Sequence, residues 1–170
     1  MPKTNLCIIG LPKQFTDTVS KAMAEQMEMF YANIDDLFTY ELIDSAHIEE
    51  VCGLEYLHKE EYSIVKRICT YDNTLIFIDY ALLNRPEILK VVSDNCLLLF
   101  LSVNKHRYIT LLDRSGLGDT MITINQDVFD DRDSICRSIA DIIVECEELS
   151  EVDIIEKTIK QIISYYSLKN

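Results

Sequence analysis

Four short segments of this 170-residue chain are apolar almost throughout: Asn5–Gly10 (NLCIIG), Thr74–Asp79 (TLIFID), Asn95–Ser102 (NCLLLFLS) and Asp141–Cys146 (DIIVEC). A strand with one wet face alternates polar and apolar residues; these do not, so both of their faces must be covered. The stretches between them are amphipathic at helical spacing. Phe15–Glu28 carries Val19, Ala22, Met23 and Met27 on one side. Buried strands alternating with helices specify a parallel sheet with helices on both faces. The expected fold is therefore α/β, three layers (α/β/α), with a sheet of about five strands.

The remaining elements follow from the same reading. Met29–Tyr31 fits a short second strand, and Asp36–Val51 and Leu54–Thr70 fit helices. Pro86 suits the first turn of a helix ending near Val92. Lys105–Arg114 and Phe129–Ala140 also read as helices, with a glycine-bearing, mobile segment expected around Ser115–Asp119. A closing helix places Val152, Ile155, Ile159, Ile162, Ile163 and Tyr166 on one face. With no repeat, low-complexity tract or linker, residues 1–170 are expected to form a single domain.

Charge and cysteine usage narrow the function. The net charge of −13 repels nucleic-acid phosphates and anionic membranes. No run reaches the roughly 20 apolar residues needed to span a bilayer, and the start lacks a signal-peptide layout, so a cytoplasmic location is expected. None of the six cysteines forms a C-x-x-C pair, which gives no support to a zinc site or disulfide.

In doubly wound folds ligands bind beyond the carboxyl ends of the strands, so residues just after strands carry the chemistry. The first strand is followed by Gly10-Leu-Pro-Lys-Gln-Phe-Thr-Asp-Thr18. Against the phosphate-binding pattern G-x-x-x-x-G-K-[ST], Gly10 matches, Phe15 replaces the second glycine, Thr16 the lysine and Asp17 the hydroxyl residue, with Thr18 next. Farther on come Tyr31-Ala-Asn33-Ile-Asp35, then Gly53-Leu-Glu-Tyr-Leu-His58-Lys-Glu-Glu61, then Thr74–Ala81, and finally Asp131-Arg132 with Ala140-Asp141.

In this order and spacing the chain resembles the shikimate kinases, P-loop small-molecule kinases whose segments read F-x-D-x-D, G-E-x-x-F-R-x-x-E, a strand leading to G-G-G, and E-R-x-P-L-Y-x-x-x-A-D. The resemblance implies a P-loop NTPase fold with nucleotide at Gly10, Lys13, Thr16, Asp17 and Thr18. It places the substrate at Asp35, His58 and Arg132, and a lid residue at Arg114. His58 stands where the family has arginine, and Asp79, Tyr80 and Ala81 stand where it has three glycines.

The substitutions have physical meanings. Phe15 puts a ring where backbone must approach phosphate, and Thr16 brings no charge. Asp17 places an anion near a helix start, where it either fills the protein's own anion site or simply begins the helix well. Lys13 either swings toward phosphates or is solvated. Leu75–Asp79 fits the strand whose aspartate assists Mg²⁺, and it equally fits a turn-starting aspartate. Asp35 and Arg132 either hold a small carboxylic acid or serve as a helix cap and a surface ion pair.

Three functions remain open. One is a non-catalytic, shikimate kinase-like binding or regulatory module, since loop glycine and lysine are lost together. The second is a working kinase using Mg-ATP, with Lys13 and Arg114 as cations, Asp79 for the metal and Asp35 as base or anchor; it requires Lys13 and Asp79 to share one cleft. The third is a structural partner whose acidic surface meets a basic protein, marked by an exposed apolar patch.

Overall fold

The computed structural model describes residues 3–114 and 127–169. Five strands make one wholly parallel sheet: β1 (Asn5–Gly10), β2 (Phe30–Asn33), β3 (Thr74–Phe77), β4 (Cys96–Ser102) and β5 (Ile142–Glu145). Their order is β2-β3-β1-β4-β5. The helices are α1 (Lys13–Gln26), α2 (Ile34–Leu42), α3 (Ser45–Cys52), α4 (Leu54–Cys69), α5 (Pro86–Asn95), α6 (Lys105–Arg114), α7 (Phe129–Ile139) and α8 (Glu151–Lys169). A 3-10 turn, Tyr80–Asn84, follows β3.

β1, β3 and β4 are buried along their whole length, as uninterrupted apolar runs require. Alternate residues feed two cores. Leu6, Ile8, Leu75, Leu97, Leu99 and Leu101 meet Val19, Met23, Tyr108 and Ile155 from α1, α6 and α8. Cys7, Ile9, Ile76, Leu98 and Phe100 meet Ile34, Val65, Ile68, Ile88 and Val92 from α2, α4 and α5. This is the expected α/β/α layering. Among the described residues no helix is long and apolar enough to cross a membrane.

Several expected bounds shift for identifiable reasons. The stretch expected as one helix from Asp36 to Val51 is two. Ile43 adopts a positive φ of 50°, and Asp44 restarts the chain by accepting the His47 amide at 2.9 Å. The second strand runs to Asn33 rather than Tyr31, because Asn33 ends it by capping α2: its Oδ1 accepts the Asp35 amide at 2.9 Å and the Asp36 amide at 3.3 Å. The helix from Pro86 continues past Val92 to Asn95, whose side chain donates back to the Val91 carbonyl. On α8 the inward face is Ile154, Ile155, Thr158 and Ile162, while Val152 and Ile163 are exposed, so they do not share the face of Ile155 and Ile162 as expected. The segment expected to be mobile, Ser115–Asp119, lies outside the described residues.

Asn5 clamps the amino-terminal edge of the sheet. Its buried amide donates to the carbonyls of Cys69 (3.2 Å) and Tyr71 (2.5 Å) and accepts the Thr74 amide (3.0 Å). The loop entering β3 is thereby fixed to β1.

Candidate functional site

The first helix starts sooner than the phosphate-loop alignment implies. Only Leu11 and Pro12 separate β1 from α1, and Lys13 is the first helical residue, not a loop residue. Pro12 has extended backbone, offers no amide, and no side chain caps this terminus. The helix thus advances about one turn into the space where a glycine-rich loop would curl.

Thr16 then lands directly under Gly10. Its side chain is fully buried and its hydroxyl donates to the Pro12 carbonyl at 3.2 Å. A Cβ on Gly10 would stand 2.4 Å from Thr16 Oγ1 and 3.0 Å from the Leu101 carbonyl oxygen. Gly10 is therefore required here for the close approach of helix to strand. Phe15 packs against the α8-side core, and the Arg107 guanidinium lies 5.2 Å from its ring centre. Arg107 also donates to the carbonyls of Cys146 and Glu147, which holds this cation in place against the ring.

Asp17 does not cap the helix, in contrast to the expectation from sequence. It is the fifth residue of α1 and faces β2, where it accepts hydrogen bonds from the Tyr31 hydroxyl and from Asn33 Nδ2 (2.7 Å). Burial raises the Tyr31 pKa above its ordinary 10.0, and the Asp17 carboxylate raises it further. Asp17 ties α1 to the sheet edge instead of completing an anion site.

Lys13 reaches into a cluster of acids. Its ammonium pairs with Asp35 and lies 3.8 Å from Asp79. Burial opposes the charge, but the Asp35 hydrogen bond and the fields of Asp35, Asp79 and Asp17 prevail and raise its pKa above the ordinary 10.5. Asp79 serves two ends: one oxygen accepts the Ala81 amide at 2.9 Å, as a turn-starting aspartate does, and the other faces Lys13. Asp35 sits in the first turn of α2 but is not its cap, since Asn33 has that role.

A cleft of about 700 Å³ opens beyond the carboxyl ends of β1 and β3. Of the residues singled out from sequence it gathers Gly10, Lys13, Thr18, Asp79, Arg114 and Arg132. Thr16 is buried beneath its floor and Asp17 faces away toward β2. His58 is not part of its lining; its carbonyl accepts from Arg85, which also pairs with Glu61. Lys13 and Asp79 do share one cleft, as the kinase hypothesis requires. Phe15, Tyr80 and Ala81, named from sequence as replacements for glycines, also line it, whereas sequence reasoning missed Tyr108 in this wall and Arg107 beside it. Burial raises the Tyr108 pKa above its ordinary value, and the charge and hydrogen bond of Arg132 oppose the rise. Among the described residues no group of three or more His, Cys, Asp or Glu lies together as a metal site.

The acid–base groups here predict an alkaline weakness. Tyr31 and Lys13 both have folded-state pKa values above those of the unfolded chain. The stability they supply is complete below about pH 10 and is lost as pH rises through the folded values. Urea denaturation across pH 8–11 is expected to show this fall. Tyr31→Phe is expected to cost about 1.5 kcal/mol at pH 8 and to flatten the alkaline slope. An unchanged slope in the variant would remove Tyr31 from this account.

No family model matches the chain. A shikimate kinase from Dehalococcoides mccartyi is 26% identical over 100 residues, covering 58% of this chain and 57% of that protein. The match thus spans little more than half the length of the curated relative. Solved structures match more completely. Shikimate kinase from Acinetobacter baumannii, in complex with shikimate, superposes with a TM-score of 0.78 at 14% identity, over 96% of this chain and 94% of that one. Shikimate kinase from Aquifex aeolicus gives 0.71 at 18% identity, over 95% and 98%. At these identities the structural likeness speaks for the fold.

Proposed function

We propose that this chain, shikimate kinase-like in fold and family, is a binding module that does not transfer phosphoryl groups and receives a small organic acid in its cleft. The observation that carries the reading is the early start of α1, with Thr16 packed beneath Gly10. Phosphoryl transfer needs backbone amides and cations arranged around the phosphates. In their place stand a proline, a phenylalanine ring and a buried threonine. The Lys13 ammonium pairs with Asp35, lies 3.8 Å from Asp79 and also feels the field of Asp17, so its surroundings repel a polyanion.

The organic acid part of the proposal draws on Arg132, whose guanidinium suits a carboxylate and lines the same cleft. The shikimate-bound Acinetobacter structure supports an acid of that class. His58 lies off the cleft lining and tyrosine and alanine follow Asp79, so the acid preferred here differs from shikimate in shape.

A second reading, a working Mg-ATP kinase with Arg114 as lid cation, is favoured by one observation, the meeting of Lys13 and Asp79. Calorimetric titration with ATP, with and without Mg²⁺, separates the two, with thermal stability followed alongside. A ligand at about 100 times its dissociation constant adds about 2.7 kcal/mol. The expected result is no heat and no thermal shift at millimolar ATP. Mg²⁺-dependent binding that is lost in Lys13→Ala and Asp79→Ala would replace the first reading with the second.

A further inference from the structure

The outer side of β2 carries a second groove, whose lining does not include Lys13. Among the described residues β2 is an edge strand, hydrogen-bonded only to β3. The register runs Phe30–Thr74, Tyr31–Leu75, Ala32–Ile76, and the Phe30 amide donates inward to the Asn73 carbonyl at 2.9 Å. In a parallel ladder, backbone groups alternate between neighbours, so the Tyr31 peptide groups face outward. Sheet edges are ordinarily blunted by lysine, proline or a bulge. The β2 sequence, Phe-Tyr-Ala-Asn, has neither lysine nor proline.

Beside this edge lies a space of about 790 Å³ bounded by β2, α2 and the loop from α4 to β3. Phe30 is 74% exposed and Tyr71 52% exposed on its rim. Leu37 and Ile68 form its apolar floor. The rim is held in shape without an occupant, because Asn5 fixes the Tyr71 carbonyl and Asn33 is held by Asp17. The charged residues of the lining are Asp36 and Asp72, both acids, and there is no Lys or Arg among them.

We propose that this groove binds an extended, basic segment of another protein, added to the sheet as a sixth strand beside β2. Main-chain bonds to the Tyr31 edge would hold its backbone, Phe30 and Tyr71 would take its apolar side chains, and Asp36 and Asp72 would select its cations. Charge decides against a second copy of this chain: it would set acids against acids between molecules that each carry −13. The same acids disfavour a nucleic acid.

The test uses the full chain and three fluorescein-labelled heptapeptides sharing an alternating valine–threonine core. One is flanked by lysines, one by glutamates, and one is the lysine peptide with a central proline. Fluorescence anisotropy is expected to show the lysine peptide binding at least about tenfold tighter than either of the others. Phe30→Asp should weaken it by about tenfold, with thermal stability used to confirm that the variant is folded. Asp36→Lys combined with Asp72→Lys should reverse the preference toward the glutamate peptide. Equal binding of the proline peptide would overturn strand addition, because charge alone would then suffice. Absence of binding by the lysine peptide would also overturn it, as would a dimer in sedimentation that Phe30→Asp dissolves.

Discussion

Thr16→Lys, which restores the loop lysine of working P-loop kinases, is expected to destabilise the protein by about 4 kcal/mol without conferring nucleotide binding. Thr16 is completely buried between α1 and Gly10, so an ammonium there would lose its water and find no acid beside it. The nearest acids of the cluster are already engaged, Asp35 with Lys13 and Asp17 with Tyr31 and Asn33. In a chain of this size the loss corresponds to a fall in the melting midpoint of roughly 8–16 °C. Differential scanning calorimetry with and without Mg-ATP makes the measurement. A variant that melts near the parent and gains stability from Mg-ATP would show that the first turn of α1 unwinds readily into a phosphate loop, and the proposed loss of catalysis would fall with it.

The second large effect is expected from Gly10→Ala. Its Cβ would meet Thr16 Oγ1 at 2.4 Å, Thr16 Cγ2 at 3.0 Å and the Leu101 carbonyl oxygen at 3.0 Å. Thr16 is β-branched and walled in, so relief requires moving the helix away from the sheet. Overpacking of this kind costs about 3 kcal/mol. Thr16→Ala removes both of the threonine contacts, so the double variant should be more stable than additivity predicts by about 1 kcal/mol. Urea denaturation of the parent, both single variants and the double variant measures the coupling. Simple additivity would mean that Gly10 and Thr16 do not press on one another. The glycine, which in a phosphate loop serves the ligand, here serves the helix.

The three central strands were legible because each carries its evidence within itself, whereas the edge strands β2 and β5 are only partly buried. Leu97 to Leu101 cannot be solvated on either face, whatever surrounds them. The start of α1 was misjudged for the opposite reason. The sequence reading starts the helix at Phe15 and leaves Lys13 in a phosphate loop, although the segment has a single glycine and Pro12 is suited to precede a helix. Asp44 followed by Ser45 was a readable restart signal inside the supposed long helix, and it was masked by continuous amphipathic spacing on either side. The site divides in the same way. Lys13 and Asp79 could be nominated from their places after strands, and the structure brings them together. Arg107 against Phe15 joins elements far apart in sequence and Asp17 against Tyr31 joins a helix to the strand after it, and no local pattern announces such pairs.

The order of the strands has a consequence for how the chain reaches this state. β1 lies in the middle of the sheet, but its two neighbours, β3 and β4, come later, and β2 does not touch it as a strand. β3 has to enter the gap between two strands made before it. Roughly 60 residues separate Gly10 from Thr74, which at ribosomal speeds amounts to roughly 3–12 s during which β1 has no strand beside it. Throughout that interval Leu6, Cys7, Ile8 and Ile9 are apolar backbone and side chain without a partner. A strand buried along its whole length in the finished protein is thus the one that waits longest for a partner during synthesis.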